Sequence, residues 1–207
     1  MREVLTVSFL WEFLRSPLTV GAVAPSGRAL AEVAAASVPS GAGEPVVVEL
    51  GPGTGAFTAV IQRRLGGRGR HVAVELNARF AARLALAHGG VDVVRADARD
   101  LPAVLAERGL SGADVVVSGL PWAAFSSREQ GDVLQAVTEV LPADGVFTTF
   151  AYVHARWMAP ARRLSRALHA RFDEVVVGRT VWGNLPPALV YHCRRPVPAS
   201  VLRLTGA

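Results

Sequence analysis

The chain has 207 residues, 51% hydrophobic and 19% charged, a composition that fits one globular domain and excludes a disordered or collagen-like chain and a second large domain. Its 22 basic residues are all arginine and face 17 acids, for a formal net charge of +5. A guanidinium keeps its charge and grips phosphate with a planar fork, so phosphate-bearing partners, lipid or nucleic acid, suit such a surface; a GC-rich coding sequence explains the same arginines without any partner. From His154 to the end, nine arginines stand against Asp173 and Glu174, which gives this third +7 and leaves −2 for the rest.

No apolar run reaches the roughly 20 residues of a membrane-spanning helix. Arg2 followed by an apolar stretch, with Ala22-Val23-Ala24 beyond it, imitates a secretion signal. Glu3 and Glu12 are misplaced for one, and Arg15-Ser16-Pro17 intervenes, so a cytoplasmic protein is expected. Val4, Val7, Trp11 and Leu14 make one apolar stripe and Leu5, Phe9 and Phe13 its neighbour, which predicts a helix over 4–14 that Pro17 terminates. So short and apolar a helix must be covered, by its own domain or by a membrane interface.

Ser26 is placed to cap a second helix that ends before Pro39-Ser40-Gly41. Strand and helix then alternate: strands over 46–50, 71–75, 91–95, 114–118 and 146–152, with helices over 57–65, 77–88, 101–108, 126–141 and 160–172. Asn77 caps one helix, and Ser126-Ser127-Arg128-Glu129 has the spacing of a capping box for another. Strands over 174–182 and 188–193 follow with no helix between them, so they are expected to pair antiparallel. The sum is an open α/β sheet, parallel except for one late reversed strand. Cys193 is the one cysteine, which excludes an internal disulfide and multi-cysteine zinc sites; the histidines show no metal-ligand spacing, so no metal is expected.

Glu49-Leu50-Gly51-Pro52-Gly53-Thr54-Gly55 ends the first strand. Glycines there let the backbone pass close to a ligand at the strand ends, where open α/β sheets bind nucleotides. Glu75 ends the second strand, positioned to accept hydrogen bonds from a ribose diol, and Asp97 with Ala98 follows the third, beside an adenine amino group. Gly51-x-Gly53-x-x-Ala56 also satisfies a permissive nicotinamide fingerprint. Against it stand Glu49, which would repel a pyrophosphate but welcome a cationic amino-acid group, the G-x-G-x-G spacing, and the lack of room for a substrate domain.

This set resembles the class I methyltransferases that use S-adenosyl-L-methionine. The resemblance implies a Rossmann-like, seven-stranded, mostly parallel sheet with one antiparallel C-terminal strand. It also implies that Glu49, Gly51, Gly53, Thr54 and Gly55 hold the methionine part, Glu75 the ribose, and Asp97 and Ala98 the adenine, with Leu76 and Ser118 in the same cofactor site. Ser118-Gly119-Leu120-Pro121-Trp122 follows the fourth strand, where amino-directed nucleic-acid methyltransferases carry an Asn/Asp-Pro-Pro-Tyr-like motif. Here Gly119 takes the Asn position, leaving Leu120-Pro121 to offer a backbone carbonyl to an amine and Trp122 a π-face to a methylated ammonium.

Four segments together resemble bacterial phospholipid N-methyltransferases, of the phosphatidylethanolamine and ornithine-lipid type. They are Phe13 to Pro17 with Val20 to Ser26, Val48 to Phe57, Ser118 to Trp122, and Trp182-Gly183-Asn184-Leu185-Pro186-Pro187-Ala188. The resemblance implies methylation of phosphatidylethanolamine toward phosphatidylcholine, an N-terminal amphipathic lid over 1–40, a methyltransferase domain over 41–207, and peripheral attachment to the inner face of the membrane. Tyr152, Leu120 and Trp122 are the expected catalytic residues, with His154 ranked below Tyr152. Trp11, Phe13, Arg15, Arg28 and Arg156 are expected to meet an anionic membrane and the lipid head group, as are Arg162, Arg163 and Arg166 on a basic helix. Trp182 and Phe125 read as packing residues. The rivals are an rRNA or other nucleic-acid adenine N-methyltransferase, for which the chain lacks room for an appended RNA-binding domain, a small-molecule amine methyltransferase, and a cofactor-binding protein without catalysis.

Overall fold

The computed structural model describes residues 25–197. The expected helix over 4–14, with Trp11, Phe13 and Arg15, lies outside them. Seven strands, β1 (Val46–Leu50), β2 (Arg70–Val74), β3 (Asp92–Val94), β4 (Val115–Ser118), β5 (Val146–Tyr152), β6 (Phe172–Val177) and β7 (Ala188–Pro196), form one sheet in the order β3-β2-β1-β4-β5-β7-β6. The helices are α1 (Pro25–Ala34), α2 (Ala56–Leu65), α3 (Ala78–Ala87), α4 (Leu101–Ala106), α5 (Ser127–Val140) and α6 (Ala159–Arg171). All neighbouring strands run parallel except β7, which is antiparallel to β5 and β6 and sets Cys193 between Phe147 and Val175. The expected reversed strand is there.

The valine runs of β1 and β4 are apolar on successive residues because both faces of a parallel sheet are covered. Leu30, Ala31 and Ala34 of α1 and Val60, Ile61 and Leu65 of α2 pack with Val47, Val117 and Val190 on one face. Leu105 of α4, Leu134 of α5 and Leu164 and Leu168 of α6 pack with Val48, Leu50, Val116 and Phe147 on the other. Within the expected 1–40 segment, Leu30, Ala31, Ala34, Ala35 and Val38 thus pack in the domain core. The Thr148 hydroxyl donates to the Ala34 carbonyl at 2.8 Å, satisfying an acceptor that the end of α1 leaves open.

Local signals set the helix ends. The Asn77 side chain accepts from the Arg79 and Phe80 amides, and Ser126 with Glu129 forms both halves of the capping box. α1 starts at Pro25, so Ser26 sits inside its first turn and not ahead of it. The strand expected over 174–182 is shifted: β6 starts at Phe172, directly after α6, and loses its regular ladder after Val177. Phe172 must start the strand because its ring is buried and stacked on Phe147, with centroids 5.8 Å apart. Beyond Val177 only the Gly178 amide and an isolated Val181–Ala188 bridge still follow β7.

Burial pushes the Cys193 thiol up to about 12, so it is a packed apolar group and not a nucleophile. Phe147 bears most directly on the sheet, since it touches Phe172 on β6 and Trp122 after β4. Phe147→Ala is expected to lower unfolding free energy by about 3–5 kcal/mol through lost transfer energy and a residual cavity. Urea unfolding measures this, and a loss below about 1 kcal/mol would mean the site collapses around the gap.

Candidate active site

The strand order reverses between β1 and β4, and open α/β sheets form a crevice at such a reversal, outside the carboxyl ends of the strands. Gly51 follows β1 with φ +67°, and a Cβ there would stand 2.8 Å from Leu120 Cδ2. At Gly119, after β4, a Cβ would meet the Gly51 carbonyl oxygen at 2.7 Å. The two turns therefore touch backbone to backbone, which accounts physically for glycine where a nucleic-acid amino-methyltransferase has asparagine. At Gly55, φ +87°, a Cβ would run into Leu84 of α3 at 2.9 Å.

Glu75 is buried at the far side of this loop, where its Oε2 accepts from the Gly53 amide at 3.0 Å and its Oε1 from the Asn77 amide at 2.8 Å. A carboxylate has about four acceptor positions, so both oxygens keep capacity for a diol. Leu76 beside it is largely exposed, a bare apolar shelf next to the carboxylate. Thr54 is exposed in the loop.

Glu49, next to the last residue of β1, is 0% exposed. Its Oε2 accepts from the Thr58 hydroxyl at 2.7 Å and lies 3.2 Å from His71 Nε2 without hydrogen-bond alignment. Its Oε1 is buried with no donor. His71 is held in turn by Gln62, whose Nε2 is 2.9 Å from Nδ1. Thr58, His71 and Gln62 were not legible as site residues, because one hydroxyl and one imidazole on separate elements carry no spacing signal.

Asp97 follows β3 as expected, but its carboxylate is already forked by Arg99, Nε to Oδ1 at 3.0 Å and a terminal nitrogen to Oδ2 at 2.7 Å. It also caps the turn through the Arg99 amide, with Ala98 half-buried beside it. Ser118 is buried, and its hydroxyl oxygen receives the Leu120 amide at 3.3 Å and the Trp122 indole N–H at 3.2 Å.

A small apolar pocket lies beside the Leu120 turn, walled by Leu120, Pro121, Trp122, Phe150, Tyr152 and Leu164, with Ala155 and Ala161 among its further walls. None of its lining side chains is charged. Trp122, expected to offer a π-face, is 3% exposed, set edge-to-face against Phe125 and Phe147, and forms part of the pocket wall. The Leu120 and Pro121 carbonyls already accept from Trp122 and Ala124 amides, leaving one lone pair each. Gln130, which sequence reading missed, is buried and donates to the Trp122 carbonyl at 2.8 Å, fastening the turn to α5. Phe125 packs as expected; Trp182 does not, being 76% exposed.

Burial raises the Tyr152 phenol above its ordinary value, so it is protonated at neutral pH. His154 stacks on it, centroids 5.8 Å apart. Arg28 is exposed on α1, 3.8 Å from Glu32, and Arg156 lies 4.9 Å over the Trp157 ring. Among the described residues no cluster of His, Cys, Asp and Glu is arranged to hold a metal, and no helix is long and apolar enough to cross a membrane.

A glycine loop at the strand-order reversal, carboxylates after β2 and β3, and a reversed last strand define the class I methyltransferase architecture. Residues 47–145 match a family model described as a methyltransferase domain. The ornithine lipid N-methyltransferase of Singulisphaera acidiphila is 34% identical over 192 residues, covering 90% of this chain and 94% of that protein. Human methyltransferase-like protein 13, solved in complex with SAH, superposes with a TM-score of 0.56 at 20% identity, over 87% of this chain and 85% of that one. Fibrillarin of Aeropyrum pernix, with natively bound S-adenosyl-L-methionine, gives 0.58 at 17%, over 81% and 76%. These two likenesses show the fold. The chain belongs to the S-adenosylmethionine-dependent methyltransferases, in the family of the Singulisphaera lipid enzyme.

The Arg99 side chain, foremost by its hydrogen bonds, holds the Asp97 carboxyl below its ordinary 3.8, and burial opposes it. Since the folded value is the lower one, the stability this pair contributes is present above pH 3.8 and fades as pH falls through the folded value. Arg99→Ala is expected to return the Asp97 carboxyl toward 3.8 in a carboxyl-carbon NMR titration. An unchanged titration would show that the fork is not what holds it.

Proposed function

We propose that this enzyme methylates the primary amine of a membrane-lipid head group. The observation that carries the reading is the uncharged pocket beside the glycine loop, together with likeness to a lipid N-methyltransferase over 94% of that protein's length. Ethanolamine and ornithine head groups share the amine this chemistry needs. The expected conversion of phosphatidylethanolamine toward phosphatidylcholine and the methylation named for the relative are therefore one reaction on two lipids.

Cofactor fit rests on two features. Glu49 Oε1 is an orphaned buried acceptor, which costs about 1–3 kcal/mol and more for a charged group, and a cationic amino-acid group near the loop would relieve it. The Gly51 and Gly55 backbones stand where a side chain would not fit. On this reading Glu49 and Gly51 to Gly55, Thr54 included, hold the methionine part and Glu75 the ribose. Leu76, Asp97 and Ala98 meet the adenine, and Ser118 keeps the β4 turn in register through Trp122. When bound, S-adenosyl-L-methionine supplies a methyl group on a sulfonium centre.

The chain's own task is to deliver a neutral, aligned amine. Apolar walls at Leu120, Phe150 and Leu164 disfavour an ammonium by desolvation and so lower its pKa, releasing the lone pair. The Tyr152 hydroxyl orients the nitrogen as a neutral group, and Leu120 and Trp122 bound the space. His154, exposed and stacked on Tyr152, offers the departing proton a route to water. Arg28 and Arg156, with Arg15, Trp11 and Phe13 of the N-terminal segment, hold the head group and an anionic membrane surface, which makes the enzyme peripheral on the inner face.

Glu75→Ala is expected to weaken S-adenosylhomocysteine binding by about tenfold or more, since hydrogen bonds to a charged group contribute about 1.5–3 kcal/mol. Calorimetry reads it, and an unchanged affinity removes Glu75 from the ribose site. The reaction is tested by incubating the enzyme with methyl-labelled S-adenosylmethionine and liposomes containing both phosphatidylethanolamine and ornithine lipid. Label in either lipid supports the reading and identifies the acceptor. Label in neither, with cofactor binding intact, overturns it.

A further inference from the structure

We infer that two loops at the carboxyl edge of the sheet, 153–158 after β5 and 178–187 between β6 and β7, form the face by which the enzyme seats on an anionic bilayer. The inference rests on the lipid reading above and extends its Arg156 contact to an apolar docking face. β5 and β6 run parallel to β1, so both loops emerge at the same edge as the glycine loop.

Hydrogen bonds tie these loops down, yet they turn large apolar side chains outward. The Val153 amide donates to the Pro187 carbonyl at 2.9 Å, clasping one loop to the other at their roots. Within the second loop Asn184 is buried, its side-chain amide donating to the Pro186 carbonyl at 2.6 Å and its backbone amide to the Val181 carbonyl at 3.2 Å. That inward anchor leaves Trp182 76% and Leu185 83% exposed. On the first loop Trp157 is 74% and Met158 58% exposed. Tryptophan pairs a large apolar body with one polar N–H and favours the boundary between hydrocarbon and water.

Charge selects the occupant. The two loops contain Arg156 and Arg179 and no carboxylate. From Gly145 to Val197 the only acids are Asp173 and Glu174, at the start of β6 and therefore toward the opposite edge of the sheet. Arg156 lies over Trp157 with its guanidinium 4.9 Å from the ring centroid, so a cation rims the apolar group. Cationic and aromatic together, with no acid, match anionic head groups above hydrocarbon. A two-fold pairing of this face with itself would bring like charges together.

The face is also continuous with the reaction site. Tyr152 and Ala155, at the root of the first loop, line the apolar pocket. A lipid lying under the loops can raise its amine into that pocket while its acyl chains stay in the bilayer.

The test uses the full chain and vesicles of equal parts phosphatidylglycerol and phosphatidylcholine, with S-adenosylhomocysteine calorimetry as the control for folding. Trp157→Ser/Trp182→Ser is expected to weaken vesicle flotation by about tenfold or more, because two large apolar surfaces no longer leave water. Cofactor affinity and turnover of a short-chain, water-dispersed aminolipid should both stay within about twofold, since neither Trp157 nor Trp182 lines the pocket. Should that pair impair cofactor binding, Met158→Ser/Leu185→Ser gives the same readout with smaller changes. Flotation at the wild-type level in a folded variant overturns the inference, as does a wild-type enzyme that does not float. A change in sedimentation-velocity oligomer state with flotation intact also overturns it, by making this a self-association face. A wild type that floats but methylates no aminolipid leaves the docking face standing and removes the acceptor reading instead.

Discussion

Backbone against backbone at the β1–β4 reversal is the contact on which the site depends. Only a residue without a Cβ at position 119 lets the turn after β4 come close enough for its position to be set by the Gly51 carbonyl. That approach brings Leu120 over the glycine loop, and Ser118 and Gln130 then lock Trp122 from below and behind. The pocket walls on the β4 side are consequences of this one steric allowance.

The edge so built is divided by polarity. On the β1–β2 side, Glu75 ties the Gly53 and Asn77 amides together and Asp97 organises the turn after β3, so carboxylates and amides line the crevice. On the β4–β5 side the walls are leucine, alanine and aromatic rings without a charge. A polar nucleoside and a desolvated amine require opposite environments, and a sheet edge offers both because each strand end contributes its own turn. Glu49 beneath the loop is buried, held by Thr58 and close to His71. A buried carboxylate with an unmet oxygen is costly in a core, and a cationic group placed beside it would relieve that cost.

Fold class, the reversed strand and the strand-end positions of the glycine loop, Glu75 and Asp97 were legible because their signals are local. Valine runs bounded by glycine define the strands, the Ser126–Glu129 box and Asn77 define helix starts, and a missing helix between residues 178 and 187 forces an antiparallel neighbour. The glycine loop, Glu75 and Asp97 each sit at a strand end, so finding the strands located them. Less was legible where meaning depends on distant partners. Gln130, Phe150 and Leu164 look in sequence like ordinary positions of a helix or strand, and Trp182 reads as a core aromatic.

By itself the sequence determined which residues turn, cap and pair, since those choices are made by φ/ψ preference and by hydrogen bonds within a few positions. Tertiary structure alone decided where side chains point once elements meet. It buried Glu49 against Thr58, engaged Asp97 with Arg99, closed Trp122 into a wall, and held Trp182 outward by burying Asn184 beside it. The reason is that burial is a property of contacts between segments far apart in the chain, and no local pattern records it.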